Sequence, residues 1–144
     1  MKEHDRRLNR LKNYDYSRNG LYFITICTKD RIPYLSDIID VGDGVLDVPT
    51  IKLTDYGKIL NDQIIEMNEI YKKSQIIKYV IMPDHVHMII YLFDDDNVFV
   101  GTSRTPSPTN AVIPSMISTL KRFVNKKNRF QFMAAFIPRP HYPQ

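Results

Sequence analysis

Two histidines, His85 and His87, interrupt the apolar and β-branched stretch 79–90 with a single valine between them. Side chains of an extended strand alternate between its two faces, so both imidazoles point the same way, about 6–7 Å apart along the chain. Neutral imidazoles paired in this way can bind a divalent cation and leave open positions on it. The spacing also suits two half-buried structural histidines, because a structural metal site usually has four ligands.

The strand that carries the histidines belongs to a β-α-β-β-α order of predicted elements. Runs of β-branched and aromatic residues predict strands at 21–28, 76–82 and 85–93. Helical spacing of apolar residues predicts one helix from an N-cap at Thr54 to about Tyr71, and a second helix from Ile113. A further strand within 130–137 would complete an α+β, ferredoxin-like fold, an antiparallel sheet with two helices on one face.

The alternation within 85–93 assigns each face of this strand a different environment. Its purely apolar face suits burial beneath the two helices and consists of Val86, Met88, Ile90 and Leu92. The face with His85, His87, Ile89 and Tyr91 is therefore expected to look away from the helices, where a ligand could bind. Residues 33–50, with several glycines, prolines and aspartates, are predicted to form a long loop.

The net charge of +4 hides a strong asymmetry along the chain. Residues 1–18 carry six Lys/Arg against three acids, residues 19–100 seven against thirteen, and residues 101–144 seven against none. A basic arm and a basic C-terminal third favour a polyanionic partner, of which nucleic acid is the first candidate. A solvated charged surface explains the same numbers without any partner.

Composition excludes other classes of protein. No apolar run reaches the roughly 18 residues that span a bilayer, and the N-terminus does not match a signal peptide. The single cysteine, Cys27, is expected to be a small buried hydrophobic residue, and it rules out a disulfide framework within the chain. We therefore expect a cytoplasmic protein without a membrane partner.

Residues 82–90, MPDHVHMII, resemble the His-hydrophobic-His signature of the HUH single-strand DNA transposases. They are most similar to the REP-associated tyrosine transposase branch, in which Met-Pro-Asn/Asp-His-hydrophobic-His is characteristic. Residues 14–17 and 20–28 resemble the opening strand of that family, 53–58 the start of its first helix, and 118–126 its second helix. The resemblance covers about residues 6–129.

The resemblance implies a ferredoxin-like fold in which His85 and His87 coordinate Mg²⁺ or Mn²⁺. It also implies a single-stranded or hairpin DNA substrate, a tyrosine that attacks the phosphorus to give a 5′-phosphotyrosyl link, and a possible homodimer. The basic residues then become candidates for contacts with DNA phosphates. These candidates are Arg6, Arg7, Arg10, Lys12, Arg18, Lys121, Arg122, Lys126 and Lys127. Tyr14, Tyr16 and Tyr22 are candidates for stacking on bases, although Tyr22 suits the core better.

The C-terminus departs from the family pattern. The expected strand after helix two and the following helix with the nucleophilic tyrosine are not recognisable in residues 130–144. Tyr142 is the single tyrosine of this tail, but its Pro-His-Tyr-Pro setting is incompatible with a helix interior, so it does not suit the role of nucleophile. Codons for 133–144 read one base later permit Trp-Gln-Arg-Ser-Phe-His-Asp-His-Ile-Ile-Arg, which matches the expected strand. The sequence therefore suggests a frameshifted, truncated product.

These observations divide the chain into a basic N-terminal arm (1–18), a transposase-like domain (19–129) and an atypical tail (130–144). The predicted function is that of a DNA transposase-like protein that has lost its nucleophile. Two alternatives remain open. The chain could be a catalytically inactive module that binds DNA, or a metal-dependent phosphoesterase in which the histidine site activates water.

Overall fold

The computed structural model describes Tyr16 and residues 18–39, 49–93, 112–128, 132–133 and 139–140. Seven strands and two helices lie within these ranges. In chain order they are β1 (Gly20–Thr28), β2 (Ser36–Ile39), β3 (Thr50–Leu53), α1 (Asp55–Ile70), β4 (Ser74–Ile81), β5 (His85–Leu92), α2 (Val112–Asn128), β6 (Phe132–Met133) and β7 (Arg139–Pro140). A single 3₁₀ turn, Lys29–Arg31, follows β1.

The main sheet has the strand order β4-β5-β1-β6, and all of its pairs are antiparallel. β6 pairs with Cys27 and Thr28, whereas β7 pairs with Tyr22 and Phe23, so both short strands lie along the same free edge of β1. This is the place of the fourth strand in a ferredoxin-like sheet. The predicted α+β, ferredoxin-like architecture is therefore confirmed. The further strand predicted within 130–137 corresponds to β6, and residues 134–138 lie outside the described residues.

Both helices pack on one face of the sheet and form a single hydrophobic core with it. The core residues of the sheet are contributed mainly by β1 and β5, where every second side chain is buried. Complete burial of an aliphatic side chain stabilises a fold by about 1.5–3 kcal/mol. The residues with no more than 1% exposure include Ile24, Ile26, Val86, Met88 and Ile90 in the sheet, and Leu60, Ile64, Met67, Ile113, Met116 and Val124 in the helices.

The start of α1 is fixed to the segment that precedes β2. Thr54 is the N-cap, as predicted, and its Oγ1 accepts a hydrogen bond from the Gly57 amide at 3.2 Å. The same hydroxyl lies 2.6 Å from the Tyr34 carbonyl oxygen, and the Thr54 amide donates to the Leu35 carbonyl at 3.1 Å. These bonds satisfy backbone groups that a helix start would otherwise leave unpaired.

The expectation of a long loop over 33–50 is wrong at both ends of that stretch. Ser36–Ile39 and Thr50–Leu53 pair as an antiparallel two-stranded sheet, and residues 40–48 lie outside the described residues. Seven of the eight side chains in this pair are at least partly exposed, so neither strand shows the apolar alternation that identifies a half-buried strand. Within the described ranges, no helix is long and apolar enough to cross a membrane.

The close approach of α1 to Leu35 generates a prediction for Gly57. A Cβ added at this position would overlap the Leu35 carbonyl oxygen, which is a backbone atom that cannot swing aside. Gly57→Ala should therefore lower the free energy of unfolding by about 1–3 kcal/mol. Helix propensity alone predicts the opposite sign, a gain of about 1 kcal/mol.

Urea denaturation of Gly57→Ala measures the change in the free energy of unfolding and shows whether the steric clash or the gain in helix propensity is larger. Asp62→Ala is the matched control, because Asp62 is an exposed position of the same helix and tests propensity without the clash. A Gly57→Ala protein that is as stable as the parent would show that α1 can move away from Leu35 at no cost.

Candidate functional site

The two histidines lie together on the sheet face that the helices leave uncovered. Val86, Met88, Ile90 and Leu92 are buried in the core, so alternation along β5 places His85 and His87 on the opposite face, as predicted. Both imidazoles are partly buried. Their Nε2 atoms approach to 3.1 Å, with the ring planes inclined by 73°.

Asp84 and Arg31 orient His85. The Nδ1 atom of His85 lies 2.5 Å from Asp84 Oδ1, and the other carboxylate oxygen is 3.3 Å from Nε of Arg31. A carboxylate beside Nδ1 accepts a hydrogen bond from Nδ1–H, which keeps the proton on Nδ1 and leaves the Nε2 lone pair free to bind a cation. The hydrogen bond from His85, aided by the Arg31 charge and opposed by burial, holds the pKa of Asp84 below its ordinary value of 3.8. Asp84 is therefore a stable anionic support for the imidazole.

Thr25 holds His87 from the neighbouring strand. The β1–β5 register pairs Thr25 with His87, and Oγ1 of Thr25 lies 2.8 Å from Nδ1 of His87. When the hydroxyl accepts a hydrogen bond from Nδ1–H of His87, the Nε2 atoms of both histidines carry lone pairs at a separation of 3.1 Å. In the other tautomer, Nε2–H of His87 donates to Nε2 of His85 instead. The first arrangement is stable only with a cation between the two nitrogens, because two lone pairs repel each other.

The donor set fits a divalent cation with open coordination positions. A separation of 3.1 Å is that of two adjacent ligands on one ion when each nitrogen lies about 2.0–2.2 Å from it. Among the residues that the structure describes, no third His, Cys, Asp or Glu joins the pair. Oxygen atoms of water or of a ligand would complete the coordination, which is the condition that a catalytic or substrate-binding ion requires.

Cys27 corrects one expectation from the sequence. It is not a buried hydrophobic residue, because it lies on the histidine side of β1, pairs with His85 in register and is partly exposed. Its Sγ atom accepts a hydrogen bond of 2.9 Å from Nη1 of Arg31. Arg31 therefore contacts both Cys27 and Asp84, which ties the turn after β1 to the turn before β5.

The structure does not bring the basic helix residues to the histidines. Lys121, Arg122, Lys126 and Lys127 belong to α2, which packs on the opposite face of the sheet. Arg122 lies over the Phe123 ring at 5.5 Å from its centroid, and Arg18 precedes β1 at the end of the sheet farther from His85. Four further predicted cations (Arg6, Arg7, Arg10 and Lys12) and Tyr142 lie outside the described residues.

Two of the tyrosines considered for base stacking belong to the core instead. Tyr16 and Tyr22 are buried, with 7% and 1% exposure, and their ring centroids are 6.3 Å apart. The suggestion for Tyr16 is therefore wrong, and the core assignment of Tyr22 is confirmed. Tyr14 lies outside the described residues.

Sequence reasoning missed the three residues that brace the histidines. Asp84 precedes His85 directly, and this adjacency could have identified it as the partner of His85. Thr25 and Arg31 carry no local signal, because their positions depend on the strand register and on the turn that follows β1.

The lowered pKa of His87 predicts how stability depends on pH. Burial, then the nearby charges of His85 and Arg31, hold this pKa below the ordinary value of 6.5. Between the lowered pKa and 6.5 the unfolded chain binds more protons than the folded protein, so the free energy of unfolding should fall as the pH drops through that interval. Above the interval, His87 contributes no pH dependence.

Urea denaturation of metal-free protein over about pH 5 to 8, the range in which histidines titrate, measures this slope. His87→Gln keeps a polar side chain beside Thr25 but does not titrate, so its stability should vary less with pH. The Asp84 contribution is separable, because a carboxylate with a lowered pKa loses its contribution only as the pH falls below about 4. If the free energy of unfolding varied equally with pH in the parent and in His87→Gln, the pH dependence could not be assigned to His87.

Comparison with known proteins identifies the fold. No family model matches the chain. An uncharacterized protein of Haemophilus influenzae is 29% identical over 124 residues, which cover 83% of this chain and 64% of that protein. Among solved structures, a REP-associated tyrosine transposase bound to a REP hairpin matches with a TM-score of 0.59 at 17% identity, covering 94% of this chain and 64% of that one. The chain therefore has the transposase-like ferredoxin fold and spans less than two thirds of either relative.

Proposed function

We propose that this chain is a transposase-like protein that binds single-stranded or hairpin DNA and holds Mg²⁺ or Mn²⁺ between His85 and His87. The observation that carries the proposal is the convergence of the two Nε2 atoms at 3.1 Å on the uncovered face of the sheet. Support comes from the fold, which is similar to that of a transposase bound to a DNA hairpin. We propose the same division into an N-terminal arm (1–18), a domain (19–129) and a tail (130–144), although Tyr16 of the arm packs in the core and β6 and β7 of the tail pair with β1.

In this proposal each residue of the site has a separate task. The ion, when bound, neutralises negative charge on the oxygens of a DNA phosphate. Asp84 keeps the Nδ1 proton of His85 in place and thereby fixes the direction of the Nε2 lone pair. Thr25 positions His87 in the same way from β1. The partly exposed setting of both rings lets a phosphate approach.

Strand cleavage by a tyrosine is the further activity that the resemblance implies. Within the described ranges, the tyrosine on the histidine face of the sheet is Tyr91, which lies four residues along β5 from His87 and therefore roughly 13 Å away. We propose that neither Tyr91 nor Tyr142 is the nucleophile and that the described domain binds DNA without cutting it.

Incubation with a hairpin DNA and Mn²⁺ distinguishes the possible activities. A gel shift without a covalent product supports the proposal. A phosphotyrosyl adduct, visible by denaturing electrophoresis, would show that the chain contains a nucleophile after all. Metal-dependent nicking without an adduct would favour a phosphoesterase that uses water. Absence of any shift would contradict DNA binding itself.

The proposed metal site predicts that two kinds of substitution weaken Mn²⁺ binding to different extents. The double variant His85→Ala/His87→Ala should lose Mn²⁺ binding, because it removes both nitrogen donors. Asp84→Asn keeps the donors but removes the carboxylate behind His85, and it should weaken Mn²⁺ binding about 10- to 100-fold. Isothermal titration with Mn²⁺ measures both effects.

Gln75→Ala is the matched control, because Gln75 lies on the same face of the sheet at the far end of β4. Thermal unfolding of all variants without metal separates binding from folding. A double variant that unfolds, together with an unchanged Mn²⁺ affinity for Asp84→Asn, would indicate that the histidines are structural.

The dependence of DNA binding on salt tests the basic residues. Affinity that rests on several phosphate contacts should fall by about 10³–10⁵ between about 50 and 200 mM salt. Replacing Lys121, Arg122, Lys126 and Lys127 by alanine should make the slope of log affinity against log salt shallower. The expected change is about 0.9 for each duplex phosphate, or about 0.7 for each single-strand phosphate, that one of these side chains neutralises.

Lys58→Ala/Lys72→Ala is the control for this measurement. Both lysines are exposed, Lys58 in α1 and Lys72 in the turn that follows it. Each is already paired with a carboxylate three residues away, at 3.1 Å for Lys58–Asp55 and 2.9 Å for Lys72–Glu69. They should contribute little to the slope. The first set removes four cations and the control removes two, so the changes are compared per cation removed. An equal change in slope per cation would mean that only total charge matters and that α2 is no DNA-binding surface.

A further inference from the structure

A shallow recess of about 150 Å³ lies on the uncovered face of the sheet, directly beside the histidine pair. The side chains that line it from this face are Phe23, Lys78, Val80, His87 and Ile89. His87 is therefore shared between the candidate metal site and the recess. The Phe23 ring lies 5.2 Å from the His87 ring, with the planes inclined by 30°.

The strand registers explain why these residues meet. Lys78, Ile89 and Phe23 form one row across β4, β5 and β1, and Val80, His87 and Thr25 form the next row. The recess occupies the space between the two rows. Phe23 and Val80 each retain 40% exposure, so the apolar surface is open to a ligand.

The charge on the uncovered face of the sheet indicates which kind of ligand the recess can bind. The side of the sheet without helices is called the open face. Strand alternation assigns to it the side chains of Leu21, Phe23, Thr25, Cys27, Gln75, Lys78, Val80, His85, His87, Ile89 and Tyr91. None of these side chains is a carboxylate, and Lys78 is an exposed cation at the rim of the recess. An apolar protein segment laid over the recess would bury the Lys78 cation, which is unfavourable without a compensating anion, and the polar His87 imidazole. A nucleotide offers a flat ring for Phe23 and phosphates for Lys78.

We propose that the recess binds one unpaired base of the DNA strand whose phosphate reaches His85 and His87. The inference rests on the proposed function and adds a base-binding site to it. The base stacks against Phe23 between Val80 and Ile89, and Lys78 contacts an adjacent phosphate. Stacking on an aromatic side chain accepts any of the four bases, so the site favours unpaired DNA over duplex DNA without reading its sequence.

An abasic scan tests this site. Hairpin DNA with a single-stranded extension is prepared as a set in which one nucleotide at a time lacks its base, and affinities are measured by fluorescence anisotropy. For the parent protein, loss of the base at one position of the extension should weaken binding about ten- to one-hundredfold, while neighbouring positions matter less. Phe23→Ala and Val80→Glu should each weaken binding to the intact DNA and remove the difference between the intact DNA and that abasic DNA.

Three controls keep the result interpretable. Phe23→Leu retains apolar volume but no ring, so it should also reduce the abasic effect. Ile65→Ala removes a 54% exposed apolar side chain from α1, on the other side of the sheet, and should leave the scan unchanged. Thermal unfolding confirms that each variant is folded, and Val80→Glu, at a 40% exposed position, provides a second route if Phe23→Ala is unstable.

The outcomes separate this inference from the proposed function. The base-binding site alone is wrong if the parent binds DNA but its affinity is the same for every abasic position. It is also wrong if the loss of affinity at one abasic position persists in Phe23→Ala and Val80→Glu. No binding of hairpin DNA by the parent overturns both. If Phe23→Ala and Val80→Glu instead abolish a concentration-dependent self-association of the parent, the recess is a contact between copies of the chain and the inference is wrong.

Discussion

The antiparallel register between β1 and β5 determines where each side chain of the site lies. It pairs Cys27 with His85, Thr25 with His87 and Phe23 with Ile89, so one face of two strands carries the metal donors, a bracing hydroxyl and the wall of the recess. The opposite face of the same strands carries Ile24, Ile26, Val86 and Met88, which are almost completely buried beneath the helices. A slip by one residue would exchange the two faces, and the cost of exposing that core fixes the register. The packing of the helices thus positions the histidines without touching them.

The electrostatics of the site depend on how few carboxylates it contains. Asp84 is the carboxylate that contacts His85, and Arg31 pairs with it at 3.3 Å. The imidazoles are neutral ligands, and the lowered pKa of His87 favours that neutral form. A divalent cation between them would therefore keep most of its charge uncompensated by the described residues. Such an ion attracts an anionic ligand more strongly than one enclosed by several carboxylates, which suits the binding of a phosphate.

The sequence predicted those features that arise from local patterns. The alternation in β5, the N-cap at Thr54 and the apolar spacing of both helices each produce a signal within one element, and the structure confirms them. The β2–β3 pair was missed because its side chains are mostly exposed and its pairing depends on backbone bonds rather than on an apolar face. Thr25 was missed because its contact with His87 depends on the β1–β5 register, and Arg31 because its position depends on the turn after β1. The recess around Phe23 and Lys78 was missed because it forms only where β4, β5 and β1 lie side by side. A single sequence contains no local trace of such cross-strand rows.

The separation of the histidine face from the basic residues of α2 constrains how one DNA molecule could contact both in the proposed function. The histidine pair and the recess lie on one face of the sheet, whereas the lysines and arginine of α2 lie beyond the helices on the other. A straight single strand along the open face does not reach α2, so contact with both requires DNA that bends around a sheet edge or carries a paired stem beside an unpaired segment. A hairpin has this shape, with a duplex whose phosphates suit exposed lysines and a single strand whose bases are free to stack. If the chain binds DNA as proposed, the two-sided distribution of charge and aromatic surface therefore favours a molecule with both kinds of DNA over a uniform strand of either kind.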